Sequence, residues 1–186
     1  MSQKMKKYKK TIAECSKSDS GKALIDDETE VYSLDYYAED LGKTYRSKKK
    51  YPASVDAFLM TEDHRFVFME FKNARKSKIT YHQLASKTFD SMYLAQLFLG
   101  GKYSLETMAK SSALFVVYQD GLDDESQKEN DSASFERFKE KVGELAKISE
   151  NHVLFDLEKF KGWLYKDIYT IGQDEFRKSF LPKIHS

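Results

Sequence analysis

Cysteine is almost missing from this chain: Cys15 is the only one among 186 residues. With no possible internal disulfide, a disulfide-stapled secreted scaffold is excluded and a reducing, cytoplasmic setting is expected. Proline and glycine are scarce as well, at 2 and 8 residues, against 13 Phe and 12 Tyr. Such a composition excludes collagen-like and low-complexity disordered chains. No apolar run approaches the ~18–20 residues that cross a bilayer, so no membrane partner is expected. The basic start, Met1 to Lys10, is not followed by the apolar stretch of a secretion signal. Neither sign of charge dominates, since 31 Lys+Arg against 30 Asp+Glu leave a net +1. No global field draws the chain to nucleic acid, which leaves that task to local patches. Zinc-ligand spacing and a Gly-Lys-Ser/Thr phosphate loop are also missing, and the only adjacent glycines, Gly100-Gly101, end a helical pattern.

The length fits a single domain with room for a core. Residues 1–22 are polar and basic and read as a loosely attached arm, leaving one domain over 23–186. Apolar residues from Ala23 to Leu41 approximate helical spacing. Ser54–Met60 and Arg65–Lys72 read as strands joined by a four-residue turn, and Thr80–Leu99 is the clearest helix, with Tyr81, Leu84, Phe89, Met92 and Ala95 in register. Ala113–Tyr118 reads as a buried strand, 120–131 as an acidic loop, and Ser134–Ile148 as an amphipathic helix. A short strand at Val153–Phe155, a helix near Glu158–Trp163, an extended Asp167–Ile171 and a last helix from Asp174 complete the pattern. The order predicts an α/β fold: a mixed central sheet flanked by helices.

Chemistry concentrates on the strand pair. In Phe66-Val67-Phe68-Met69-Glu70-Phe71-Lys72, alternate side chains share a face, so Glu70 and Lys72 point together while Phe71 points away. Pairing with the preceding strand can bring Asp56 beside them. Two carboxylates and an ammonium in an apolar stretch are costly unless compensated, and a divalent cation is a natural compensation. Hard oxygen ligands without a Cys/His cluster favour Mg²⁺ or Mn²⁺ over zinc. Glu70-Phe71-Lys72 is also the one Glu-x-Lys in the chain.

This arrangement resembles the PD-(D/E)xK nuclease superfamily, with the restriction-endonuclease-like fold. Asp56 stands as the motif aspartate, with Val55 where the motif proline would be, and Glu70-Phe71-Lys72 stands as the E-x-K element. The resemblance implies a metal held by Asp56, Glu70 and the backbone carbonyl of Phe71, with Lys72 orienting water and stabilising phosphate charge. It also implies an acid from the preceding helix, with Glu30 the first choice over Glu28 and Glu39. Gln83 and Lys87 are the candidates from the following helix. Phe71-Lys72-Asn73, Lys87-Thr88-Phe89-Asp90-Ser91 and the segment Leu157 to Asp167 resemble small uncharacterised nuclease-like proteins of Gram-positive bacteria and their mobile elements.

Two basic runs flank the strand pair. Lys48, Lys49 and Lys50 in the first, and Arg75 and Lys76 in the second, together with Lys87, are the expected contacts to DNA or RNA phosphates. Phe66, Phe68, Phe89, Phe115, Phe135 and Phe138 read as core, and Trp163 as a packing residue. The function expected is phosphodiester hydrolysis by a phage, mobile-element or defence-related nuclease, which in this superfamily often works as a homodimer. The alternative is a catalytically silent protein on the same fold that binds another protein, as in immunity or anti-defence.

Overall fold

Two alternating apolar sets run along the central strands, and each is covered by helices. The computed structural model describes residues 3–44, 51–63, 65–74, 76–120 and 153–184. Among them is a six-stranded sheet whose spatial order follows the chain: β1 (Lys9–Thr11), β2 (Glu30–Tyr32), β3 (Ala57–Met60), β4 (Phe66–Lys72), β5 (Ser112–Tyr118) and β6 (Asp167–Gly172). Strands β1 to β4 are antiparallel neighbours, whereas β4, β5 and β6 run parallel. The sheet is therefore mixed, as the order of elements predicts.

The helices are α1 (Gln3–Lys6), α2 (Ile12–Cys15), α3 (Leu34–Thr44), α4 (Tyr81–Phe98) and α5 (Leu105–Lys110). After β6 come α6 (Gln173–Glu175), a π-helical turn over Phe176–Phe180 and α7 (Leu181–Ile184). Phe58, Phe66, Phe68, Leu114, Val116 and Ile168 project from one sheet face into a core with α3 and α4. Ala57, Val67, Met69, Phe71, Phe115 and Val117 project from the other, against Ile12, Leu24, Phe176 and Leu181. This is the period-two alternation of a sheet buried on both sides.

Several expectations are corrected. Residues of the supposed arm are built into the fold: Tyr8 and Ile12 are buried, and β1 pairs with β2 as Lys9↔Tyr32, Lys10↔Val31 and Thr11↔Glu30. Tyr8 packs edge-on against Tyr37 and Phe98, at 5.2 and 5.9 Å between ring centroids. The polar surroundings of one aromatic and one isoleucine concealed an edge strand of three residues. The helix expected from Ala23 begins only at Leu34, because Val31, which mimics helical spacing, belongs to β2. Ser33 marks the true start, its Oγ accepting the Tyr36 N–H at 3.3 Å. Val153–Phe155 is irregular, with Phe155 and Asp156 at positive φ, and Glu158–Phe160 is a single 3₁₀ turn. Phe89 and Trp163 are 54% and 57% exposed rather than core. Helix α4 matches its expected span, with the Gln83 side chain accepting the Thr80 N–H at 3.1 Å to cap its start. The helix expected over Ser134–Ile148 and the acidic loop beyond Asp120 lie outside the described residues.

Candidate active site

The β3–β4 hairpin is closed at its turn by Thr61, whose N–H donates to the Arg65 carbonyl at 3.0 Å. From there the register runs Met60↔Phe66, Leu59↔Val67, Phe58↔Phe68, Ala57↔Met69. Asp56 is the next residue, just outside β3, and its position in this register is opposite Glu70. Directly opposed side chains share a face, so both carboxylates lie on the side of the sheet that α4 covers. Past the end of β3 the Phe71 N–H would lose its ladder partner. It donates instead to Asp56 Oδ2 at 2.7 Å, which fixes the carboxylate and satisfies a strand amide.

The loop before Asp56 is strapped to two helices. Val55 N–H donates to Ser91 Oγ at 2.8 Å and Ala53 N–H to Asp90 Oδ2 at 3.1 Å, both on α4. Ser54 Oγ donates to Asp35 Oδ1 on α3. These bonds pin an irregular segment whose own backbone supplies no regular ladder.

Glu70 is 1% exposed, and two ammonium groups meet it. Lys72 Nζ lies 2.7 Å from Glu70 Oε1. Lys87 Nζ, reaching in from α4, lies 2.9 and 3.0 Å from the two Glu70 oxygens and 3.4 Å from Asp56 Oδ1. Burial, followed by the Glu70 charge, pushes the Asp56 pKa well above the carboxylate range. Burial acts to lower the Lys87 pKa, but the charges of Asp56 and Glu70 outweigh it and raise it. Asp35 adds to both effects as a third negative charge. Three carboxyl groups thus face two ammonium groups in the cluster.

One side of this cluster opens into a polar cavity of about 470 Å³, lined by Lys10, Glu14, Asp35, Ser54, Asp56 and Lys87 among others. Lys10 and Glu14 come from the segment expected to be a loose arm. Cys15 also lines it, but burial drives its thiol pKa up to about 12, which removes the thiolate needed for nucleophilic chemistry.

Of the residues singled out in the sequence, Asp56, Glu70, Lys72 and Lys87 come together. Phe71 contributes its N–H, while its ring is buried on the opposite face against Phe176. Glu30 does not join them. It is exposed on β2 and paired with Lys9, and Tyr32↔Phe58 places it four residues, about 13 Å, along the strand from Asp56. Gln83 is the helix cap described above and is exposed. Lys76 sits in an exposed 3₁₀ turn, Lys76–Lys78, while Lys48, Lys49, Lys50 and Arg75 lie outside the described residues. Asp35 is the acid that sequence reasoning missed. Its signal was the Ser33-Leu34-Asp35 helix start, hidden once the helix was begun eleven residues too early.

Among the described residues no group of three or more His, Cys, Asp and Glu is arranged to hold a metal ion. The pair Asp56–Glu70 does present hard oxygens to a common point and is bridged there by the Lys87 ammonium. Its donor chemistry fits a hard divalent cation. Comparison with models of known protein families, with curated proteins and with solved structures finds no match.

Proposed function

We propose that this chain is a nuclease dependent on Mg²⁺ or Mn²⁺ that hydrolyses phosphodiester bonds of DNA or RNA, on a restriction-endonuclease-like core. The observation that carries the reading is the meeting of Asp56, Glu70, Lys72 and Lys87 on one side of the sheet, with Asp56 and Lys87 lining a polar cavity. Asp56 and Glu70 would hold the ion, which when bound supplies Lewis acidity and a water of lowered pKa. Lys72 lies against Glu70 and can hold a water or a phosphate oxygen beside it. Lys87, on a four-carbon stem, can turn from the carboxylates toward a phosphate. Asp35, acting through Ser54, is a positioning residue for the loop that carries Asp56.

A second reading has its own observation. Lys72 and Lys87 already neutralise most of the carboxylate charge, as they would in a silent relative that binds another protein. Calorimetric titration of Mn²⁺ into the wild type and the Asp56→Ala/Glu70→Ala variant, with cleavage of mixed DNA and RNA in parallel, separates the two. The nuclease requires binding and cleavage that both vanish in the variant, with Lys72→Ala keeping the metal and losing turnover. A wild type that binds no Mn²⁺ refutes the nuclease and leaves the silent reading.

A further inference from the structure

A second cavity, of about 340 Å³, lies at the opposite end of the sheet and on its opposite face. It opens where the strands begin: Arg65 precedes β4, Ser112 starts β5 and Asp167 starts β6. Glu70 stands five residues beyond Arg65, roughly 16 Å along the strand, and points to the other face. This cavity therefore shares no residue with the site described above.

Its rim carries four cations, Arg65, Lys110, Lys166 and Lys183, against a single acid, Asp167. Arg65 is paired with Asp63 at 2.7 Å and Lys110 with Glu106 at 2.6 Å, but both pairs are solvent-exposed. Exposed pairs contribute little and exchange readily for a better anion. The floor is aromatic. Phe115 and Tyr169 stack at 4.8 Å, and Phe180 closes on both, at 5.1 and 4.9 Å between centroids. Lys183 Nζ lies over the Phe180 ring, 5.3 Å from its centroid, so the cationic rim reaches the aromatic floor. The hydroxyls of Thr61, Ser111 and Ser112 add neutral polar groups to the wall.

A cationic rim over an aromatic floor, in a concavity of small-ligand size, selects an anion with an apolar, aromatic body. We infer that this cavity binds a nucleoside monophosphate unit, with the phosphate at the Arg65/Lys166 rim and the base packed against the Tyr169 and Phe180 edge of the aromatic floor. Arg forks and Lys point charges take the phosphate, and base-on-aromatic contact is tolerant of base identity. A free mononucleotide and the phosphorylated end of a strand carry the same chemistry.

The test is calorimetry on the full chain in EDTA, which keeps it independent of any metal or cleavage. AMP, adenosine, inorganic phosphate and a short 5′-phosphorylated oligonucleotide are the probes. AMP or the oligonucleotide should bind at least tenfold tighter than both adenosine and inorganic phosphate. The tighter of the two identifies the source as free nucleotide or strand end. Arg65→Glu/Lys166→Glu, which changes only exposed side chains, should weaken that binding at least tenfold. Asp56→Asn should leave it unchanged. Binding of AMP and oligonucleotide no tighter than that of inorganic phosphate overturns the inference. So does binding lost in Asp56→Asn but kept in the double charge reversal.

Discussion

Replacing Lys87 with methionine isolates the electrostatics of the buried cluster. Methionine keeps much of the stem's volume and helix propensity but deletes the ammonium held by both Glu70 oxygens and by Asp56. Removing one member of a buried ion pair costs about 3–5 kcal/mol, because the partners stay buried without compensation. Lys87 is 24% exposed and Asp56 17%, so solvent screens part of this, and about 2–3 kcal/mol is expected here. Lys72 remains on one Glu70 oxygen and limits the loss further. The same deletion vacates the point between the carboxylates. A divalent cation no longer has to displace an ammonium, so Mn²⁺ should bind at least tenfold tighter to Lys87→Met than to the wild type. At 100 times its Kd a ligand stabilises the native state by about 2.7 kcal/mol, enough to restore what the substitution removes. Urea unfolding in EDTA and in Mn²⁺, with calorimetric titration of the ion, measures both effects. A variant as stable as the wild type in EDTA, or one that binds Mn²⁺ no tighter, would refute the claim that Lys87 occupies the ion's place.

Three further outcomes follow from the same geometry. Burial and the Glu70 charge raise the Asp56 pKa, so folding favours its protonated form; that stabilisation is complete below about pH 4 and lost as pH rises through the raised value. Asp56→Asn imitates the protonated acid and should exceed the wild type in urea stability at pH 8, with the advantage vanishing toward pH 4. Ser91→Ala leaves the buried Val55 N–H without its acceptor and should cost about 1–3 kcal/mol, while weakening Mn²⁺ binding through the loop that carries Asp56. A Cβ on Gly172 would overlap the Asp120 carboxylate, which accepts the Asp174 N–H at 2.9 Å. Gly172→Ala should therefore cost about 1 kcal/mol in thermal unfolding through the lost cap, and much less in an Asp120→Ala background.

What could be read in the linear chain was whatever depends on local periodicity. The β3–β4 hairpin, α4, β5 and β6 announce themselves through alternation or three-and-four spacing, because each buries its own apolar set. The Glu70-Phe71-Lys72 element was legible for the same reason: strand geometry alone puts Glu70 and Lys72 on one face. Strands β1 and β2 were not, since three-residue strands carry too few positions to show a period, and they exist only because neighbouring strands complete their hydrogen bonds. With them went Lys10 and Glu14 at the cavity wall and Asp35 behind Asp56, while Glu30, attractive in sequence, ended on the wrong level of the sheet. The tertiary structure alone decided that Lys87 bridges Asp56 and Glu70, because that contact joins an α4 side chain to two strand ends. It also exposed Phe89 on α4 and Trp163 in a turn, whose apolar character says nothing of whether packing covers them. Local patterning determines which segments become strands and helices, whereas the electrostatics of a site depends on distances between segments that only packing sets.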